Sequence, residues 1–410
     1  MKTLLVVTET LPEDFSKANQ GIVQRLRLFI DGLAGHADRL QVLFMARPPK
    51  AVGADAQAWA QDGIRKHWHQ QADVDFCFAP PPAESHSFWS HYVAPAVSAQ
   101  RNGVSGRLCR PEHLQGLRQA LARKPAAILA HRLPSMYALT VAARGKLPKV
   151  YFDLDDVEHL RFLRTVPTLP YGRGKYLMLP QTAAIHWAER RAAAAATRTF
   201  VCSERDRTYL QGRLGLPRIE VIPNAVNVPD QPAYGVPEQT VLFVGVLNYE
   251  PNLHGAQWLI RDVWPLVRRA VPDARLLIVG DGEARIAADV AGADGVTAPG
   301  FVPDLDAVYR RSGVVCCPIR VGSGTRIKLI EAAGYGKAMV STTIGAEGLA
   351  FEDGRHALIR DDATSFAGGI VELLRDPGRS ESLGAAARQL AVGGYARQSV
   401  IERIDVTCGF

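Results

Sequence analysis

The sequence predicts an α/β protein made of two Rossmann-like domains, and three observations carry that expectation. Short apolar runs alternate with longer stretches of helical periodicity almost from end to end. A proline-rich break at 224–239 divides the alternation into two blocks. In the second block an apolar run ends in a glycine turn that feeds a helix, between 313 and 335. Buried strands joined by helices pair in parallel with right-handed crossovers. Two such blocks give two doubly wound domains.

Residues 2–8 form the first strand; their apolar run is too short for a signal peptide, and acids follow it. Residues 21–33 suit a helix, with Ile22, Leu26, Leu28, Phe29 and Leu33 on one face. Strands are expected at 40–46, 126–130, 150–152, 199–201 and 220–222. Region 76–112 breaks the rhythm and reads as an insertion that shapes an acceptor pocket, touches a membrane, or simply crosses the surface. The break itself holds Pro229, Pro232 and Pro237 and few large apolar residues, which suits a linker. The second block opens with a strand at 240–246 and continues at 274–279, 296–298 and 313–318. Helices are expected near 255–270, 283–291, 304–312, 325–335, 363–375 and 380–392. The domains are therefore 1–223 and 240–392.

The chain has 410 residues, 47% hydrophobic and 22% charged, which argues against a mostly disordered protein. Its net charge of +7 favours acidic partners. The basic stretches 107–110 and 118–124 lack interleaved aromatics, so nucleic acid is not an expected partner. Six cysteines include no C-x-x-C pair, which removes a zinc or thioredoxin signal and fits a reducing cytoplasm. No apolar run reaches the ~18 residues of a membrane-crossing helix. There is no P-loop, no G-x-S-x-G elbow, and no G-x-G-x-x-G after the first strand.

The most informative stretch is PIRVGSGTRIKLIEAAGYGK, residues 318–337. Gly322, Ser323 and Gly324 form the turn, and Thr325 stands near the helix cap. Such a turn exposes backbone N–H groups at the positive end of the helix dipole, a ready anion site. Arg326 and Lys328 fall in the first helical turn, where cations oppose the dipole. An anionic ligand explains them; two solvated side chains are the plainer alternative.

This segment resembles the nucleotide-sugar site of glycosyltransferase family 4, which has the GT-B fold: two Rossmann-like domains facing a cleft. The family's Glu-x7-Glu signature would put its second Glu, which binds ribose hydroxyls, on Glu331. The first falls on Ser323, a departure that leaves the sugar open. The form G-x-G-T-R-x-K-x-x-E resembles an exopolysaccharide-type subgroup. Residues 240–252 (TVLFVGVLNYEPN) resemble the first strand and loop of the family's C-terminal domain, with Gly245 and Asn248 as donor-binding candidates. Where many members carry Arg and Lys, this loop has Asn248, Tyr249 and Asn252, so Arg326 and Lys328 are expected to supply the charge. Residues 297–304 resemble the loop whose backbone reads the base, giving Gly300, Phe301 and Val302. The resemblance also implies that the last segment, 393–410, crosses back to the first domain.

The first half resembles the family less closely. Gly21 ends the loop after the first strand and is a candidate for backbone contact with the donor; a helix-entry glycine is the alternative. In VYFDLDDVEH, at 150–159, Asp155 falls where the family often has a His near the reacting sugar. Asp156 and His131 are acceptor-side candidates. The D-x-D of Asp153 and Asp155 also invites a metal reading, but the pattern is weak, and no metal or other cofactor is expected.

The resemblance implies a retaining transfer of a sugar from a nucleotide diphosphate-sugar to a glycan or lipid-linked acceptor hydroxyl. Arg326, Lys328 and Asp155 are its expected catalytic residues. A cytoplasmic enzyme in peripheral contact with the anionic inner face of the membrane is expected. A nucleotide-sugar epimerase and a non-catalytic nucleotide-sugar-binding subunit are the alternatives.

Overall fold

A computed structural model describes residues 1–17, 21–80, 87–169, 172–234, 239–322 and 324–409. The chain divides into two compact units: Met1–Pro223 with the segment from Val400 onward, and Asn224–Ser399.

The first unit is built on a parallel sheet of seven strands: β1 (Thr3–Thr8), β2 (Arg39–Phe44), β3 (Ala72–Phe76), β4 (Ala127–His131), β5 (Lys149–Asp155), β6 (Arg198–Val201) and β7 (Ile219–Val221). Their order is β3-β2-β1-β4-β5-β6-β7. Val6 of β1 lies between Val42 of β2 and Leu129 of β4. Helices cover both faces, so β1 is buried from Leu4 to Thr8 without the alternation of a one-sided strand. The helix Gly21–Ala34 buries Leu26, Phe29, Ile30 and Leu33, and Phe29 packs on Phe200 with ring centroids 5.2 Å apart. Near the end of that helix, Gly32 admits Ile404, whose side chain leaves no room for a methyl group at residue 32. The Tyr151 hydroxyl donates to the Cys408 carbonyl at 2.6 Å.

The second unit has a parallel sheet of six strands: β8 (Thr240–Val244), β9 (Arg275–Val279), β10 (Val296–Gly300), β11 (Val314–Cys317), β12 (Ala338–Ser341) and β13 (Leu358–Ile359). The order is β10-β9-β8-β11-β12-β13. Its core joins Phe243, Trp264, Met339 and Phe366 with the strand residues of β8 and β11. The segment before β8 is tied down by buried Lys337, whose ammonium donates to the carbonyls of Ala233, Arg310 and Ser312. Burial draws its pKa down to about 8.

Several elements differ from the sequence expectation. β3, β12 and β13 are not among the strands that the sequence predicts. β3 is an edge strand whose Asp73 and Asp75 break the apolar run; Arg39 pairs with Asp73, and Gln41 donates to Asp75 at 2.8 Å. Region 76–112 is not wholly irregular, since it contains the helix Ala94–Val97 and leads into the helix Pro111–Ala122. The helix expected at 325–335 spans Ile327–Gly334, because Arg326 has extended backbone (φ −92°, ψ 96°) and caps it. Among the described residues no helix is long and apolar enough to cross a membrane.

Candidate active site

Each sheet reverses its direction of winding once, between β1 and β4 in the first unit and between β8 and β11 in the second. In open α/β sheets ligands lie outside the carboxyl ends of the strands at that switch point. The informative residues of each unit gather there.

In the second unit β8 runs into Gly245 and β11 into the turn at Gly322. Gly322 (φ 109°) and Gly324 (φ 81°) adopt backbone that other residues reach only with strain. The turn is pinned where Asn224 donates to the Thr325 hydroxyl at 2.7 Å. Lys328, in the first turn of the helix Ile327–Gly334, reaches back to the β8 loop. Its ammonium donates to Asn252 Oδ1 at 2.9 Å and sits 4.3 Å from the Phe243 ring centroid. A methyl at Gly245 would lie 2.8 Å from that ammonium. Burial lowers the Lys328 pKa to about 8, with Arg326 adding to the effect. Arg326 folds over its own turn: Nη1 donates to the Gly324 carbonyl, and Nη2 would be 3.4 Å from a methyl at Gly322. Two cations and two glycine loops thus converge at one helix N-terminus.

Glu331 lies one turn deeper. Tyr309 donates to its Oε2 at 3.0 Å, and Tyr309 stacks on Tyr335 with centroids 4.8 Å apart. Burial raises the Glu331 carboxyl above its usual range, against the Tyr309 hydrogen bond and Lys328. Asn248 packs against Gly282 after β9. Gly300 (φ 80°) closes β10 with the Glu283 carboxylate against its Cα; Phe301, next in the chain, is 47% exposed, and Val302 packs partly on the core. Ser323 lies outside the described residues.

In the first unit the carboxyl ends of β4 and β5 carry a buried charge network. Arg25, on the helix Gly21–Ala34, is 2% exposed. Its Nε and Nη2 donate to Asp153 at 3.0 and 2.7 Å, its Nη1 to the Ile222 carbonyl at 2.9 Å, and Nε lies 3.2 Å from Asp155. Asp153 also meets His131 Nδ1 at 3.0 Å. Burial opposes the Asp153 charge, but Arg25 and His131 outweigh it and hold the carboxyl below its usual range. The Asp153 contact takes up Nδ1 and leaves Nε2 as the ring nitrogen open to another partner. That Nε2 is buried and has no hydrogen-bond partner among the described residues. Such an omission costs about 1–3 kcal/mol and calls for an explanation.

Two neighbours are held in left-handed backbone, Arg132 (φ 67°) and Asp155 (φ 65°), a conformation that concentrates at functional sites. Arg132 donates to Glu158 at 2.8 Å, and Arg161 pairs with the same carboxylate. Burial raises the Asp155 carboxyl. It carries Asp156 up to about 7, with the charges of Asp155 and Glu158 adding to the shift.

Two groups of described residues bring three metal-ligating atoms within 4.8 Å of one another: Asp155, Asp156 and Cys202, and His159, His186 and Glu189. In the second, His159 is already bonded to Glu189 and, at 2.8 Å, to the Tyr209 hydroxyl. The D-x-D pair is not a matched set of ligands, since Asp153 is fully buried and committed to Arg25 and His131.

Of the residues singled out in the sequence, the second unit brings together Gly245, Gly322, Gly324, Thr325, Arg326, Lys328 and Glu331, with Asn248 and Gly300 beside the neighbouring strand ends. The first unit brings His131, Asp155 and Asp156 to one sheet edge, while Gly21 opens a helix. Sequence reasoning missed Arg25, Asn252 as the Lys328 partner, Tyr309 and Glu158. Arg25 was visible in principle: it stands three residues after Ile22 and four before Phe29, a charge on the apolar face.

Two family descriptions match the chain, Glycosyltransferase Family 4 over residues 56–229 and Glycosyl transferases group 1 over residues 238–376. An uncharacterized 44.6 kDa protein in the cps region of Klebsiella pneumoniae is 32% identical over 140 residues, which cover 32% of this chain and 36% of that protein. The phosphatidyl-myo-inositol mannosyltransferase of Mycobacterium leprae is 31% identical over 214 residues, 49% of this chain and 56% of that one. The chain thus spans about half, or less, of the length of these curated relatives. Anabaena HepE, solved with UDP and glucose, superposes with a TM-score of 0.65 at 13% identity over 99% of both chains. Sucrose-phosphate synthase from Thermosynechococcus elongatus gives 0.69 at 15% identity over 99% of this chain and 98% of that one. With two parallel α/β sheets and matching family segments in succession, the chain has the fold of the GT-B glycosyltransferases, with a family 4 segment followed by a group 1 segment.

Proposed function

We propose that the protein is a retaining glycosyltransferase that moves a sugar from a nucleotide diphosphate-sugar to an acceptor hydroxyl in exopolysaccharide or related surface-glycan synthesis. One observation carries the reading: Lys328 and Arg326 meet the glycine loops after β8 and β11 at the N-terminus of the helix Ile327–Gly334. That is a site for a diphosphate, and the same charges stabilise it as it leaves, the kind of preorganised donor worth about 2.7–4 kcal/mol in a transition state. Glu331 takes the ribose hydroxyls. UDP in the HepE complex and the mannosyltransferase names support a nucleotide-sugar donor, while the cps-region relative supports a surface-glycan role.

On the first unit, a sugar hydroxyl is the partner that would satisfy His131 Nε2. Asp155 and Asp156 flank it on the acceptor side. The acceptor is a glycan or a lipid-linked sugar, and the enzyme works at the inner face of the membrane. The test is turnover of a panel of UDP- and GDP-sugars with product mass and anomeric configuration read out. Arg326→Ala is expected to lose most turnover; near-normal turnover in that variant would remove its diphosphate role.

A further inference from the structure

We infer that the first unit docks on an anionic phospholipid surface through an aromatic, basic face formed by the two excursions that follow β3 and β5. The inference deepens the reading above by assigning the membrane contact to particular residues, and it rests on that reading for its purpose.

Apart from Glu84 in the first and Asp156 and Glu158 at the start of the second, the composition of the two excursions is one-sided. Residues 87–111 hold Arg101, Arg107 and Arg110; residues 159–188 hold Arg161, Arg164, Arg173 and Lys175; neither stretch contains an Asp or a Glu. Arg107 and Arg161 are balanced from outside by Glu9 and Glu158. Lys175 donates instead to backbone carbonyls, at Leu169 over 2.9 Å and at Pro167, and no carboxylate among the described residues pairs with it. Arg173 is exposed.

The same stretches expose large apolar side chains that a water-facing surface does not require. Phe88 is 60% exposed, Trp89 59%, Tyr176 49% and Leu177 48%. They are not scattered. Phe88 lies 5.2 Å from Tyr92 between ring centroids, and a methyl at Gly174 would be 3.4 Å from the Tyr92 hydroxyl. The first excursion therefore abuts the second two residues before Tyr176. The face is also anchored: Gln181 donates to the His91 carbonyl at 3.0 Å, and Ala94 and Pro95 are buried beneath it.

Amphipathic aromatics next to cations suit a headgroup interface, where the rings enter the acyl boundary and Lys and Arg meet lipid phosphates. Charge selects the occupant. A second copy of this chain would bring two predominantly positive faces together, whereas an anionic bilayer complements them. Both excursions leave the carboxyl ends of their strands, the sheet edge that carries His131 and Asp155. A lipid-linked acceptor held in the bilayer would therefore present its sugar to that edge.

The experiment is flotation of the purified protein with phosphatidylcholine vesicles, with and without phosphatidylglycerol, and with Trp89→Glu/Leu177→Glu and Arg173→Glu/Lys175→Glu variants. Wild type is expected to float with the anionic vesicles and to be released by high salt. The charge-reversed variant is expected to lose roughly tenfold or more in partition. The apolar pair should lose partition to a similar degree. Thermal unfolding of each variant checks the fold, and titration of UDP and GDP into the same samples checks the donor site. Equal flotation on neutral lipid, no flotation of wild type, or wild-type flotation of both variants overturns the inference. A concentration-dependent dimer abolished by Trp89→Glu/Leu177→Glu also overturns it, in favour of self-association. Nucleotide binding without flotation sinks the docking surface alone; flotation without nucleotide binding upholds the surface and sinks the donor-site reading.

Discussion

Replacing Asp153 by Asn tests how the first unit supports His131. In the folded protein Arg25 is 2% exposed and Asp153 fully buried, and two guanidinium nitrogens reach the carboxylate at 3.0 and 2.7 Å. Asn keeps the shape and removes the charge. Arg25 would retain Asp155 at 3.2 Å and the Ile222 carbonyl, so it is not wholly abandoned. Breaking a buried pair by removing one partner costs about 3–5 kcal/mol, and the remaining contacts place this case near the lower bound, about 3 kcal/mol. Against a typical total of about 5–15 kcal/mol the loss is large. In urea unfolding, with a slope of about 3 kcal/mol per molar, the midpoint should fall by about 1 M. A double-mutant cycle with Arg25→Met should show strong coupling, because removing the second charge relieves the first loss. A fall below about 0.3 M, or additive losses in the cycle, would show that the pair is not the buried electrostatic unit described.

Three further outcomes are expected. The Lys328 ammonium, lowered to about 8 by burial, must be charged to hold a diphosphate, so kcat/KM should decline as pH rises through about 8. Lys328→Arg should move that limb to higher pH, and an unchanged profile would separate Lys328 from the donor. Gly245→Ala places a methyl 2.8 Å from the Lys328 ammonium and should raise the KM for the donor at least about tenfold, roughly 1.4 kcal/mol, with thermal stability preserved. A normal KM would show that the loop yields freely. Asp156 sits at about 7 because burial and nearby acids favour its protonated form. Its folded pKa thus lies above the unfolded value, so the folded state is progressively penalised as pH rises from about 4 to 7. Asp156→Asn should raise the unfolding midpoint at pH 8 by about 2–4 °C for each kcal/mol recovered, and leave it unchanged near pH 4. Equal shifts at both pH values would contradict the assignment.

The second unit is the more legible in sequence because its candidate site is built from residues close together in the chain. Gly322, Gly324, Arg326 and Lys328 are contiguous, and β8 and β11 are uninterrupted apolar runs whose burial leaves no room for alternation. The first unit hides its site in long-range contacts. Arg25 and Asp153 are 128 residues apart, and no window of sequence shows that they meet. His131 could be marked as the end of an apolar run, but its contact with Asp153 could not, and the left-handed backbone of Arg132 and Asp155 leaves no trace in residue type. β3 was lost to its own edge position, where Asp73 and Asp75 find partners on β2 that a one-dimensional pattern cannot display.

On the proposed function, the cationic helix N-terminus after β11 grips a sugar-linked diphosphate. A crystal of the protein grown with UDP or GDP tests it most directly. Phosphate oxygens are expected within hydrogen-bond reach of Lys328 Nζ and the Gly324–Thr325 amides, with ribose hydroxyls on Glu331. Nucleotide bound at another place, with Lys328 still donating to Asn252 and Glu331 bonded only to Tyr309, would contradict it.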